Sequence, residues 1–145
     1  MMDMSDIERG QEHAAKCFAG GYNCAESVLR GVCLAQGLNL PDTCLKMATP
    51  FGGGVGRSED LCGALSGGVM AVGASLGRTD EKGEKARCYD AANRLYKEFV
   101  RMMGSAQCGV LNKGEFGTPE HRARCGRFVR ETTRMTILAI RGDAE

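Results

Sequence analysis

The sequence predicts an all-α single domain, a bundle of about five to six helices around a glycine-rich central helix. Three observations carry that reading. Apolar residues recur at helical spacing almost throughout the chain. No period-two alternation persists, and Val, Ile and aromatic clusters are scarce. Within the longest uncharged stretch, Leu61 to Gly77, small residues recur every fourth position at Gly63, Gly67, Ala71 and Ser75. The 145 residues suit one domain of the usual size, roughly 100–200 residues, so residues 1–145 are read as a single helical unit.

Each element has a local reason. Ile7, Ala14 and Phe18 form the stripe of a first helix that stops at Gly20-Gly21. Asn23 caps a second, with Glu26 completing a capping box, and Ala25, Val28, Leu29 and Val32 form its apolar face as far as Gly37. Pro41 can open a short third helix to Met47, since its missing amide would be unpaired in a first turn anyway. Thr49 to Arg57, with Pro50 and Gly52-Gly53-Gly54-Val55-Gly56, reads as a loop.

The central helix is expected from about Leu61 to Leu76, started by Ser58 or Asp60. Its small face lets a second helix approach closely, while Leu65, Val69, Val72 and Leu76 fill the other side. Thr79 or Asp80 is expected to cap a long helix whose stripe is Cys88, Ala92, Leu95, Phe99 and Met102 or Met103. A helical turn at Cys108 to Leu111 follows, and Thr118-Pro119 opens a last helix reaching about Ile140.

Composition narrows the function. Hydrophobic residues make up 43% and charged residues 26%, which excludes wholesale disorder. Nineteen basic against 18 acidic side chains leave a net charge of +1, interleaved rather than segregated, so no nucleic-acid partner is expected. The stretch Leu61 to Gly77 is too short and polar to span a membrane, and Met1 to Gly10 reads as no signal peptide. A cytoplasmic protein is the expectation. Partners are an unknown redox protein or small-molecule substrate, with a homo-oligomer left open.

The eight cysteines, at positions 17, 24, 33, 44, 62, 88, 108 and 125, carry the chemistry. No two are closer than seven residues, which removes Cys-x-x-Cys redox motifs, zinc knuckles and Cys-x-x-Cys-His haem attachment. Any cluster must be assembled by the fold. Cys33 and Cys88 lie mid-helix among apolar residues and read as buried hydrophobes, and Cys17 and Cys44, near helix ends, also read as structural. Cys24, Cys62 and Cys108 fall at expected helix starts, where unpaired amides and the helix dipole favour a thiolate. Cys62 is expected to be the most acidic accessible thiol. His121, one turn before Cys125, could orient a thiolate, though a surface side chain explains both it and His13. Gly52 to Gly56 matches no phosphate-loop pattern. Arg57 and a following helix start could still hold an anion there, or the glycines could serve only to let backbone pass close to Cys62.

Gly21-Tyr22-Asn23-Cys24-Ala25, Phe51-Gly52-Gly53-Gly54 and Cys62-Gly63-Ala64-Leu65-Ser66-Gly67, followed by single cysteines at 108 and 125, resemble the C_GCAxxG_C_C family of small bacterial and archaeal redox-active proteins. The family's name string is not literal here; Cys62-Gly63-Ala64-x-x-Gly67 stands in its place. The resemblance covers roughly Ile7 to Ile140 and implies Cys24, Cys62, Cys108 and Cys125 as site residues, the other four being extra. The family is similar to a domain of split-Soret cytochromes, but no haem is carried over.

Three functions remain. In thiol–disulfide exchange, which needs no cofactor, Cys62 would attack and Cys24 resolve, with Cys108 and Cys125 as a second pair; the chain would be a thiol–disulfide oxidoreductase. In the alternative, the same four thiols would hold zinc or an iron–sulfur cluster. In the third, a helical adaptor uses its cysteines as core filling.

Overall fold

A computed structural model describes residues 4–142. Met1 to Asp3, part of the segment read as no signal peptide, and residues 143–145 lie outside them. The chain is all-α. Its long helices are α1 (Met4–Ala19), α2 (Cys24–Gln36), α5 (Gly63–Leu76), α6 (Ala86–Met103) and α8 (Pro119–Arg141), with short pieces α3 (Asp42–Lys46), α4 (Gly52–Val55) and α7 (Cys108–Leu111) between them. These short pieces take the helix count slightly above the expected five to six. Among the described residues no strand forms; Leu61 and Gln107 make one isolated antiparallel bridge.

The packing follows the apolar stripes. α2, α5 and α8 pack against one another; α1 lies against α2 and α8, and α6 against α5 and α8. Ile7 and Ala14 of α1, Ala25, Val28, Leu29 and Val32 of α2, and Leu95 and Phe99 of α6 are all buried, as their spacing predicts. Phe128, Val129, Met135 and Ile137 supply the α8 side of the core. Two side-chain bonds fasten outer helices to α8: Gln11 Nε2 donates to the Arg130 carbonyl at 3.1 Å, and an Arg94 Nη donates to the Ala139 carbonyl at 2.7 Å.

The small face of α5 works as expected, and its partner is α2. A Cβ added at Gly67 would strike the Ala25 backbone, and one at Gly63 would collide with Cys24 Sγ. Gly68 serves the other side, where an added Cβ would lie 2.5 Å from Thr136 Oγ1 of α8. Leu65 and Val72 are buried, Leu76 is half-buried, and Val69 is exposed because its direction on the helix meets solvent rather than a neighbour.

Two helix starts differ from expectation. α5 begins at Gly63 with Cys62 as its N-cap, not at Ser58 or Asp60. The amides of Ser58, Glu59 and Asp60 are already bonded to the carbonyls of Val55, Gly53 and Gly54, so that segment is committed to the glycine turn. α6 begins at Ala86, not near Thr79 or Asp80. Residues 78–85 close a loop in which Arg78 donates to the Glu81 and Gly83 carbonyls and Asp80 accepts from the Lys82 amide. Glu84 instead accepts from the Arg87 amide in the first turn. Along α6, Cys88 and Ala92 are only half-buried and Met102 is exposed, which corrects the fully buried stripe. Among the described residues, no helix is long and apolar enough to cross a membrane.

Candidate functional site: a thiol-lined cleft

The site is built from the start of α2. Asn23 and Glu26 form the expected capping box: Asn23 Oδ1 accepts from the Glu26 amide and Glu26 Oε1 from the Asn23 amide, each at 2.9 Å. The same two side chains grip the next segment. Asn23 Nδ2 donates to the Thr49 carbonyl at 2.9 Å, and Thr49 Oγ1 donates to Glu26 Oε2 at 2.7 Å. Thr49–Phe51 is thereby pinned beside Cys24, the first residue of α2, and the three glycines that follow are each forced. At Gly52 a Cβ would lie 2.6 Å from Asn23 Nδ2. Gly53 and Gly54 have φ of 67° and 71°, and a Cβ at Gly54 would lie 2.7 Å from Cys108 Cβ.

The left-handed run does not stop at the glycines. Val55, Gly56 and Arg57 have φ of 67°, 57° and 66°, and Glu59 has 61°. Left-handed backbone costs a residue with a side chain about 1–3 kcal/mol and persists only where its surroundings hold it. Here the turn is held by Gly56 N donating to the Pro50 carbonyl at 2.8 Å, Glu59 N to Gly53 at 3.0 Å and Asp60 N to Gly54 at 3.1 Å. The outgoing strand of this turn then receives α7. Gly109 N donates to the Glu59 carbonyl, Cys108 N to Asp60, and Cys62 N to Ala106. These main-chain bonds set Cys62 opposite Ala106 and Cys108 opposite Asp60, so the two cysteines are diagonal neighbours across the Leu61–Gln107 bridge. Cys125 arrives from α8, which Thr118 caps by accepting from the His121 amide at 3.0 Å.

All four cysteines implied by the resemblance line one cavity of about 520 Å³, with Arg57, Asn112, His121 and Arg122 among its other walls. A second space of about 750 Å³ adjoins it, sharing Asn23, Gly53, Arg57, Phe116, Gly117 and His121. Cys62 and Cys108 are buried, and Cys24 and Cys125 half-buried. The remaining cysteines lie elsewhere. Cys17 is buried with its sulfur 3.7 Å from His13 Nε2, Cys33 is buried, and Cys44 and Cys88 are half-buried.

Burial decides the electrostatics. It raises the pKa of all four site thiols, and for Cys62 and Cys125 the value reaches about 12. The expectation that Cys62 is the most acidic accessible thiol therefore fails. The amides of Ala64 and Leu65 do favour its thiolate as a helix start should, but burial and the neighbouring Cys24 outweigh them. Cys24 is placed differently. It meets the amides of Gly53, of Ala25 and of its own residue, all of which pull its pKa back down. Cys24 and Cys108 act on each of Cys62 and Cys125, and Cys108 acts on Cys24, so these two sulfurs are each close to the rest of the set.

The sequence reading named Arg57 as a possible anion holder but missed Asn112 and Arg122 of the cleft wall. Asn112 is 2% exposed, and its Nδ2 donates to the Cys108 carbonyl at 3.1 Å and toward Cys108 Sγ at 3.7 Å. Its Oδ1 accepts from Arg124 Nε at 3.1 Å, and Arg124 pairs with Glu115 at 3.0 Å. The amide is thus turned with its donors toward the thiols, lowering the pKa of both Cys108 and Cys125 against burial. An Asn four residues after a cysteine on a short helix is the signal that could have found it. His121 Nδ1 accepts from the Gly117 amide at 3.0 Å, so the neutral ring carries its proton on Nε2, and burial with nearby Arg124 holds its pKa down.

The comparisons agree with the residues. The family described as "Putative redox-active protein (C_GCAxxG_C_C)" matches residues 22–137. The chain belongs to that family. An uncharacterised protein of Archaeoglobus fulgidus is 26% identical over 149 residues, covering 95% of this chain and 97% of its own. No solved structure matches the chain. For the family motifs, the structure supplies physical reasons: Asn23 caps and grips, Gly52 to Gly54 pass close to Asn23 and Cys108, and Gly63 and Gly67 admit α2.

A tetrathiolate centre would need its donors converging at bonding distance on one point, about 2.3 Å from a zinc. Among the described residues, no three His, Cys, Asp or Glu side chains are so grouped. The four thiols as arranged do not fit that centre.

Proposed function

We propose that this member of the redox-active family performs thiol–disulfide exchange, with Cys24 as the attacking thiol and Cys62 as the resolving one. The single observation that carries the reading is the seat of Cys24 Sγ against Gly63, the residue that follows Cys62, in the wall of a cavity that both cysteines line. Both roles follow from surroundings. Cys24 is the more exposed residue of the two and its thiol meets the amides of Gly53, Ala25 and its own residue, whereas Cys62 is 5% exposed with its pKa raised to about 12, a thiol shielded from direct attack on substrate. This inverts the roles expected from sequence.

The chemistry balances as two displacements. The Cys24 thiolate attacks one sulfur of a disulfide, whose S–S bond breaks and releases a first thiolate. A mixed disulfide on Cys24 remains. Cys62 passes its proton to the first thiolate released and attacks Cys24 Sγ, releasing the second thiolate, which takes up from solvent the proton that Cys24 gave up, and leaving a Cys24–Cys62 disulfide. Two protein thiols are oxidised and one substrate disulfide is reduced to two thiols. Cys108, Asn112 and Cys125 line the same cavity, and Cys108–Cys125 remains as the second pair.

The test is trapping. With Cys62→Ser, a disulfide reagent should leave a stable mixed disulfide whose peptide mass falls on Cys24. With Cys24→Ser, no adduct should accumulate in the cleft. An adduct on Cys62 in the Cys24→Ser protein, formed as fast as in the parent, would return the attacking role to Cys62.

A further inference from the structure

The walls of the thiol cavity are one-sided in charge. Arg57, His121 and Arg122 line it, and no Asp or Glu does among the described residues. Among the described residues, neither arginine forms an ion pair with a carboxylate. Arg122 donates to the Phe18 carbonyl at 2.8 Å and lies over the Phe18 ring at 4.8 Å, contacts that fix its guanidinium without cancelling its charge. Arg57 emerges from the left-handed turn, where its Cγ would meet a Cβ at Gly53 at 3.1 Å, and it lines both the thiol cavity and the adjoining space. The nearby carboxylates lie behind or beside these walls: Glu59 lines the adjoining space, Glu115 accepts from Thr118 Oγ1 and Glu26 from the Asn23 amide. Arg9, Arg101 and Arg124 are paired with Asp6, Glu98 and Glu115.

The shape adds a second constraint. The two spaces, about 520 and 750 Å³, are within the range that takes small molecules, about 300–1,000 Å³ each. Cys62 and Cys108 are buried and Cys24 is half-buried, so a disulfide must enter the cavity to meet Cys24. A substrate small enough to enter, carrying negative charge, would be held by planar guanidinium forks suited to carboxylates.

Resting on the exchange reaction above, we propose that the substrate is a small disulfide whose two halves carry carboxylates, held by Arg57 and Arg122 while its S–S bond meets Cys24. Reduction gives two carboxylate-bearing thiols and the Cys24–Cys62 disulfide.

The experiment uses the reduced full chain and two disulfides of opposite charge, oxidised glutathione and cystamine. Loss of alkylatable Cys24 is followed by mass spectrometry, and each rate is divided by that disulfide's rate with a small neutral thiol. The expected result is a preference of about tenfold or more for oxidised glutathione at low ionic strength, collapsing near 1 M salt, where the screening length falls to about 3 Å. Arg57→Gln with Arg122→Gln should abolish the preference, and the corresponding pair of Lys variants should keep most of it. Reaction at Cys24 with no preference, or with one that survives both Gln substitutions, would overturn the anionic substrate while sustaining the exchange reaction. Faster oxidation by the disulfides of intact insulin, after the same normalisation, would overturn the small substrate. Failure of every disulfide to consume Cys24 would overturn both readings.

Discussion

The two ends of α2 hold cysteines of opposite character. At the amino-terminal end, Cys24 sits among amides, beside the left-handed glycine turn and across from Cys62, Cys108 and Cys125. Toward the other end, Cys33 is buried in the core, where burial raises its pKa to about 11 and Arg30 alone acts against it. Both ends are reached by close helix contact through glycine. Gly67 of α5 admits the backbone of Ala25, and Gly31 of α2 lies where a Cβ would come 2.6 Å from the Gly10 carbonyl of α1. Close packing alone therefore does not make a thiol functional. What distinguishes Cys24 is a packed helix start that also opens onto a cavity.

The largest expected effects come from filling either contact. Gly67→Ala and Gly31→Ala should each cost about 3 kcal/mol in denaturant unfolding, since the obstructing atoms include backbone that cannot turn aside. Only Gly67→Ala should also slow Cys24 oxidation, because only it pushes the Cys24 end of α2 off α5. Gly73→Ala, on the same helix as Gly67 with nothing within 4 Å, should instead gain up to about 1 kcal/mol. Equal loss of Cys24 reactivity in the Gly31 variant would erase the distinction between the two ends.

Alkaline titration sharpens it next. Cys62 has its pKa raised in the folded protein from the ordinary 9.0 to about 12, so folding favours the neutral thiol. Its contribution is full below about pH 9 and is lost as pH climbs toward 12, at up to about 1.4 kcal/mol per pH unit. Cys33 gives the same sign over the narrower window from 9.0 to about 11. Unfolding measured from pH 8 to pH 11 should be flatter for Cys62→Ala than for the reduced parent, and flatter also for the parent once Cys24 and Cys62 are joined. An unchanged slope in Cys62→Ala would mean its thiol is not buried in the neutral form.

Smaller effects are expected away from the cleft. Cys33→Ala should cost about 1 kcal/mol through lost packing and leave Cys24 oxidation unaltered. Mild alkylation at pH 8 should label half-buried Cys88 well before Cys33, whereas labelling in the reverse order would contradict the burial of the α1–α2 seam.

Much of this was legible in the sequence because it is local. The Asn23–Glu26 capping box, the α2 stripe and the small face of α5 are short-range patterns, and each is present with its expected partners. The gathering of Cys24, Cys62, Cys108 and Cys125 was legible through the motif resemblance and not through spacing. What escaped is long-range. Ser58 and Asp60 looked like helix caps until the glycine turn claimed the amides of that segment. The acidity expected of Cys62 rested on its place at a helix start, which it does occupy, but burial is a property of the whole fold. Asn112 and Arg122 carry no pattern of their own and gain meaning only from the cavity they line, whereas Arg57 was legible after the glycine string as a possible anion holder.

The most direct measurement is disulfide mapping. The reduced protein is oxidised with one equivalent of a small disulfide, the remaining thiols are blocked at low pH, and the linkage is read by tandem mass spectrometry of proteolytic peptides. The account predicts one dominant intramolecular linkage, Cys24 to Cys62, with Cys108, Cys125 and Cys33 recovered as blocked thiols. A dominant Cys108–Cys125 linkage with Cys24 and Cys62 both free, or no intramolecular linkage, would contradict it.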